Sequence, residues 1–157
     1  MTTHDEYLLD GERTPELLEE LARDCGCMAI FATEYEIQVD LDSTSLDRFH
    51  ASYELLKKNG FLLGSTAQAW HSKGGNWHVV VSLLPTMETT AQQRGMFALM
   101  LGSDPTREIL NMVERRAGAG TIVLFMPIGA IIFSVNGRNP SDKRGRRKAE
   151  REMEAYL

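Results

Sequence analysis

The chain predicts an α+β fold, an antiparallel sheet with helices packed on one face. Three observations carry this. From Tyr35 onward, runs with two-residue alternation and runs with three- and four-residue apolar spacing follow in the order strand, helix, strand, strand, helix, strand. The two middle strand runs flank the turn Lys73-Gly74-Gly75-Asn76, which reads as a hairpin. Right-handed crossovers then place the helices on one side of the sheet and leave the other side open to a ligand.

The elements justify this in turn. Thr14-Pro15-Glu16 starts a helix, with a capping threonine, a proline at the first position and an acid in the first turn; Gly26 ends it. Cys27 to Ala32 is a short apolar strand. Glu34 to Ser43, EYEIQVDLDS, is the organising strand: Ile37, Val39 and Leu41 face a core, while Gln38, Asp40 and Asp42 face the other way. Ser43 or Thr44 caps a helix whose Leu46, Phe49, Tyr53 and Leu56 point inward, and Asn59-Gly60 stops it. His50 borders that stripe. A strand from about Phe61 to His71 and a second through NWHVVVSLL follow; in the latter Trp77, Val79, Val81 and Leu83 share one face, and His78, Val80 and Ser82 the other. Glu88 to Leu101 is helical. Asp104-Pro105 opens a helix of about two turns to Val113. The strands TIVLF and AIIFSV, joined by a turn at 126–129, close the fold.

A chain of 157 residues suits one domain, here residues 1–137, with 1–33 as an N-terminal addition and 138–157 as a basic tail or helix. No apolar run approaches the roughly 20 residues of a membrane span. Cys25 and Cys27 are too close for an unstrained disulfide and have no second cysteine pair for zinc, so a reducing cytoplasm is the expected location. The net charge is −5, but Arg138 to Arg151 holds seven basic residues against two acidic ones, a local +5 that leaves −10 on the rest. Such a tail either neutralises phosphates or only keeps the chain soluble.

The chemistry-bearing residues lie at three places. Asp40 and Asp42 form a D-x-D at a strand end, where paired carboxylates repel unless a cation sits between them. Ser72 to His78, SKGGNWH, is a turn whose glycines let backbone approach a phosphate closely and whose His78 lies on the neighbouring strand. Leu101 to Asp104, LGSD, supplies a third acid, with Arg107 one helical turn on. Each has a plainer alternative: solvated strand-end acids, an edge-of-core His78, a turn lysine at Lys73, and Asp104 as a helix cap before Pro105. Trp70 and Trp77 serve packing or base stacking.

D-x-D, then S-K-G-G-N-W-H, then a lone aspartate, in this order over Tyr35 to Val135, resembles the archaeo-eukaryotic primase (primase-polymerase) superfamily, most closely its short phage and plasmid members. The resemblance implies an RRM-like catalytic sheet and a metal-dependent nucleotidyltransferase that makes or extends a primer in replication. It implies Asp40, Asp42 and Asp104 as catalytic acids holding Mg²⁺ or Mn²⁺, and Ser72, Lys73, His78 and Arg107 as contacts to a nucleoside triphosphate. The third acid of the family sits more often on a strand than before a helix. Implied partners are nucleoside triphosphates, single-stranded or primed nucleic acid, through the basic tail among other contacts, and a helicase or other replication protein. Two other readings stay open: a non-catalytic nucleic-acid-binding or partner subunit that keeps the sheet, and a metal phosphoesterase on the same carboxylates.

Overall fold

The computed structural model describes residues 14–43, 45–116 and 122–135. The expected N-terminal lead-in before Thr14 and the basic tail at 138–157 lie outside the described residues.

The order is α1 (Pro15–Asp24), β1 (Cys27–Phe31), β2 (Glu36–Asp40), α2 (Asp47–Lys58), β3 (Thr66–His71), β4 (Trp77–Ser82), α3 (Ala91–Met100), α4 (Pro105–Arg116), β5 (Val123–Pro127) and β6 (Phe133–Ser134). The fold is α+β with antiparallel sheets, as the element pattern predicts. The strands form two sheets: β2-β4-β3-β6, and a separate pair β1-β5. The last two strands therefore do not pair with each other. β5 runs antiparallel to β1 from Cys27↔Pro127 to Phe31↔Val123, whereas β6 adds to the edge of β3 through Gln68↔Ser134 and Ala69↔Phe133.

Strand alternation sorts the four-stranded sheet as the sequence indicates. Ile37, Val39, Ala67, Ala69, Val79 and Val81 line one face and pack with Leu46, Phe49 and Tyr53 around α2 and Ala98 and Leu101 at α3. Phe49 and Tyr53, one turn apart, stack at 5.3 Å between ring centroids, and the buried Tyr53 hydroxyl meets Ser65 Oγ at 2.7 Å. That satisfies the one polar atom the ring carries into the core.

The expectation of an open second face is corrected. Trp70 and Val80 on that face are buried against Leu124 of β5, with Ile30, Met126 and Ala130 around them. The apolar area of a tryptophan and a valine favours cover over water. α1 packs on β1 of the small sheet.

Four boundaries also shift. α2 begins at Asp47 with Leu46 as an uncapped N-cap residue, and Ser45 Oγ instead accepts from the Asp47 N–H at 3.1 Å. β3 begins at Thr66, because 61–64 form a tight turn with Leu62 at φ 53° and Gly64 at φ 71°. α3 starts at Ala91 behind Thr90 and Gln93, which form a reciprocal capping box, so 88–90 are not helical. α4 runs to Arg116, one turn beyond the predicted end.

Candidate functional site

Asp40, His78 and the backbone of Asp104 meet at one end of the four-stranded sheet. Asp40 is the last residue of β2 and stands opposite His78 of β4. His78 Nε2 lies 3.2 Å from Asp40 Oδ1. The other ring nitrogen, Nδ1, is 3.0 Å from the Phe125 carbonyl. A carbonyl only accepts, so Nδ1 carries a proton there. Trp70 Nε1 donates to the same carbonyl at 3.3 Å, and its ring meets the His78 ring edge-on at 5.9 Å. β5 thus fixes the histidine from behind and aims Nε2 at the carboxylate. Burial pushes the Asp40 carboxyl up, but the hydrogen bond from His78, the charge of His78 and the charge of Arg107 outweigh it, so the group sits below its usual value.

Asp104 reaches the same place by backbone. Leu41 and Ser103 form an antiparallel bridge past the end of β2, and the Asp104 N–H donates to the Asp40 carbonyl at 2.8 Å. The Asp104 side chain caps α4, its Oδ1 accepting from the Thr106 N–H at 3.2 Å. Its carbonyl accepts the first helical bond, from the Glu108 N–H at 3.1 Å. The capping role expected of an aspartate before Pro105 is therefore present.

Asp42 does not continue the alternation. The Leu41 N–H donates to the Trp77 carbonyl, but the Trp77 N–H donates to Ser43, so pairing skips Asp42 and leaves it exposed in a bend. Its Oδ1 accepts from Asn76 Nδ2 at 3.3 Å, which holds it beside the β3–β4 turn. Among the described residues, no three His, Cys, Asp or Glu side chains gather closely enough to hold a metal ion. The donor type suits a hard divalent cation, since all three acids offer carboxylate oxygens. Their side chains as placed do not form a ligand set.

The expected phosphate contacts sit as follows. In the β3–β4 turn the Ser72 N–H donates to Asn76 O at 2.7 Å and the Gly75 N–H to Ser72 O at 2.9 Å, with Gly75 at φ 89°. That left-handed conformation is the one glycine takes without penalty. Lys73 reaches away from the acids: Nζ donates to the Cys25 carbonyl at 2.6 Å, at the C-terminus of α1, where a cation is favoured. Arg107 is committed to the protein. Nη1 donates to Glu108 Oε1 at 2.7 Å, and Nη2 to Gln38 Oε1 at 3.3 Å and Val123 O at 3.2 Å. The His71 and Trp77 rings meet at 3.7 Å between centroids, tilted by 33°, and Phe133 lies edge-on to Trp77 at 5.4 Å, so this tryptophan packs with side chains of the sheet.

Residues that sequence reasoning left without a role complete the neighbourhood. Ser103, Glu108 and Gln38 are buried and polar. Ser103 stood inside the LGSD motif, and Glu108 was given no role. A buried carboxylate has no one-dimensional signature, since its cost is offset by partners distant in sequence. Beside them, between β2 and α3, a cleft of about 310 Å³ is bordered by Glu36, Gln38, Arg94, Gly95 and Glu108.

Among the described residues no helix is long and apolar enough to cross a membrane. No family model matches the chain, and neither the curated proteins nor the solved structures hold a significant match to it.

Proposed function

We propose that this protein is a metal-dependent nucleotidyltransferase of primase-polymerase type. One observation carries the reading: the backbone of Asp104 is hydrogen-bonded to Asp40, whose carboxylate faces His78, so the three motif segments adjoin at one strand end. Asp40, Asp42 and Asp104 would hold Mg²⁺ or Mn²⁺, which would supply charge neutralisation at phosphate oxygens. His78 presents Nε2 on the acid side of the sheet, where donating to a triphosphate would mean exchanging Asp40 Oδ1 for a phosphate oxygen. Ser72 and the Gly74-Gly75 backbone lie in the adjoining turn. Lys73 and Arg107 serve this reading less directly, since both are held by protein acceptors; the Arg107 charge acts on Asp40 through space. The RRM-like sheet, the nucleic-acid substrate, contact through the basic tail and association with a helicase or other replication protein belong to the same proposal.

The test is binding of Mn²⁺, then of Mn²⁺ with a nucleoside triphosphate, by calorimetry, followed by nucleotidyl transfer to a primer end. Asp42→Asn is expected to weaken metal binding and abolish transfer. His78→Ala is expected to weaken triphosphate binding with metal binding retained. Wild-type protein that binds neither ligand overturns the reading.

A second reading has its own support. The acids form no ligand set, and Asp42 and Asp104 each bond within the protein. A non-catalytic nucleic-acid-binding or partner subunit needs nothing more. It predicts nucleic-acid or partner binding that is indifferent to divalent metal and to Asp42→Asn.

A further inference from the structure

The outer strand edges of this fold are finished differently. β2 runs on into the Leu41–Ser103 bridge, with the Asp40 N–H on Ser103 Oγ at 3.0 Å and the Asp104 N–H on the Asp40 carbonyl at 2.8 Å. β6 is only Phe133–Ser134. On β5 the outward carbonyls are taken by side chains. Val123 O accepts from Arg107 Nη2 at 3.2 Å, and Phe125 O from Trp70 Nε1 at 3.3 Å and His78 Nδ1 at 3.0 Å. Pro127 brings no N–H to that edge.

β1 has none of these devices. The Ile128 N–H donates to the Gly26 carbonyl and the Ala32 N–H to the Ile122 carbonyl, each at 3.0 Å. Bonded pairs recur every second residue, so Met28 and Ile30 also bond to β5, while Cys27, Ala29 and Phe31 turn N–H and C=O the other way. Nothing among the described residues takes these groups on Ala29 and Phe31. Cys27 is buried, but Ala29 and Phe31 are half-buried and Met28 is 50% exposed. The strand reads CMAIF, with no charge, proline or glycine to turn another strand away. Its sheet has only two strands, fewer than a sheet needs to stand by itself.

We propose that β1 is a dimerisation edge, where two copies of this chain join by antiparallel β1–β1 pairing about Ile30. The occupant follows from the sequence of the strand. A two-fold axis sets each strand against itself, so a charged strand would place like charges near one another, and CMAIF has none. Pairing about Ile30 uses the two residues whose outward groups are reachable. Ala29 stands opposite the partner's Phe31, small against large, and each such pair exchanges two hydrogen bonds. Ile30 meets the partner's Ile30, a β-branched pair of the kind that stabilises sheets, and exposed Met28 lies opposite the partner's Ala32. The two small sheets become one of order β5-β1-β1-β5. The inference is independent of any nucleotidyl-transfer activity.

The experiment measures the mass of the full chain by sedimentation equilibrium under reducing conditions, for wild type, Ala29→Pro and Ala29→Ser. Wild type is expected at twice the monomer mass. Ala29→Pro removes an N–H that the β1–β5 ladder does not use, and proline is tolerated at an outward edge position, so a folded monomer is expected. Ala29→Ser keeps the N–H and is expected to stay dimeric. Amide exchange of wild type, read by NMR over a dilution series, is expected to be slower at Ala29 and Phe31 in the dimer than in the monomer. Met28 and Ile30, already bonded to β5, serve as the reference. That readout decides the matter if Ala29→Pro does not fold. Wild type that is monomeric at every concentration overturns the proposal. A dimer that persists in folded Ala29→Pro overturns it too, since another surface then holds the copies. Exchange at Ala29 and Phe31 that is the same in monomer and dimer also overturns it, and slow exchange in both assigns the edge to a segment of the same chain.

Discussion

His78 Nε2 points at Asp40 Oδ1 across 3.2 Å while Nδ1 of the same ring is held by the Phe125 carbonyl. With Nδ1 donating to that carbonyl, Nε2 is the nitrogen that faces the carboxylate, and the two side chains act as a unit. Burial alone would raise the Asp40 carboxyl, yet His78 and Arg107 bring it below its ordinary value. An unfolded Asp40 then takes up a proton at a higher pH than the folded one does. Its contribution to stability is therefore present above the ordinary aspartate value, about 4, and is lost as pH falls through the lower folded value. Unfolding midpoints in urea between about pH 2.5 and 6 are expected to fall on the acid side, less steeply in Asp40→Asn. Equal acid slopes in both proteins would remove the pair from the stability account.

His50 gives a second pH dependence, in a different window. It is 3% exposed within α2, and among the described residues its Nδ1 has no partner. Burial lowers its pKa, and the charges of Glu54 and Asp47 oppose this only in part. The unfolded histidine binds its proton first as pH falls from the ordinary value near 6.5, so stability is expected to decline through that region toward the lower folded value. His50→Gln is expected to flatten the stability profile between about pH 5 and 7. A profile identical to wild type would show that the histidine opens to solvent freely.

The tight turn before β3 supports a prediction on stability alone. Gly64 has φ +71°, and a Cβ there would lie 2.5 Å from Leu84 Cδ1. Gly64→Ala meets both the left-handed backbone penalty, about 1–2 kcal/mol, and the shift of a leucine side chain. A drop of at least about 1 kcal/mol in unfolding free energy is expected. A neutral result would mean that Leu84, itself 44% exposed, turns aside without loss.

The basic stretch Arg138 to Arg151 carries a local +5 on an otherwise acidic chain. If it contacts phosphates, affinity for single-stranded nucleic acid falls steeply with salt, and truncation at Asn139 is expected to flatten that slope. Fluorescence anisotropy over about 50–200 mM salt measures this. An unchanged slope assigns the tail to solubility.

Much of this arrangement was legible from local pattern. Alternation in EIQVD and WHVVVS sorts Val39 and Val79 from Asp40 and His78, and the structure pairs them accordingly. Pro15 and Asp104 mark helix starts because proline geometry and a capping oxygen act within a few residues. The partners of β5 and β6 were not legible. Both are apolar runs whose pairing depends on contacts far along the chain, and proximity in sequence suggested a hairpin that does not form. One signal for the covered face was available: Trp70 and Val80 are apolar on a face taken to be open. The bend at Asp42 had no such signal, since a break in pairing leaves the residue alternation of the sequence unchanged.

Asp104 carries two candidate roles on one side chain, and a single pair of substitutions separates them. As a cap, its Oδ1 accepts from the Thr106 N–H at 3.2 Å. As a metal-holding acid, it contributes charge beside Asp40, to which its N–H is bonded at 2.8 Å. Serine keeps a capping oxygen and removes the charge, while alanine removes both. Under the capping role alone, Asp104→Ser leaves the melting temperature and any activity near wild type, and Asp104→Ala costs about 0.5–2 kcal/mol in stability. Under both roles together, Asp104→Ser keeps stability but loses Mn²⁺ affinity and nucleotidyl transfer, and Asp104→Ala loses all three. The informative comparison is therefore Asp104→Ser against wild type, with melting temperature and Mn²⁺ affinity measured on the same sample. A serine variant that retains stability and binds Mn²⁺ as well as wild type confines Asp104 to the end of α4 and favours the non-catalytic subunit.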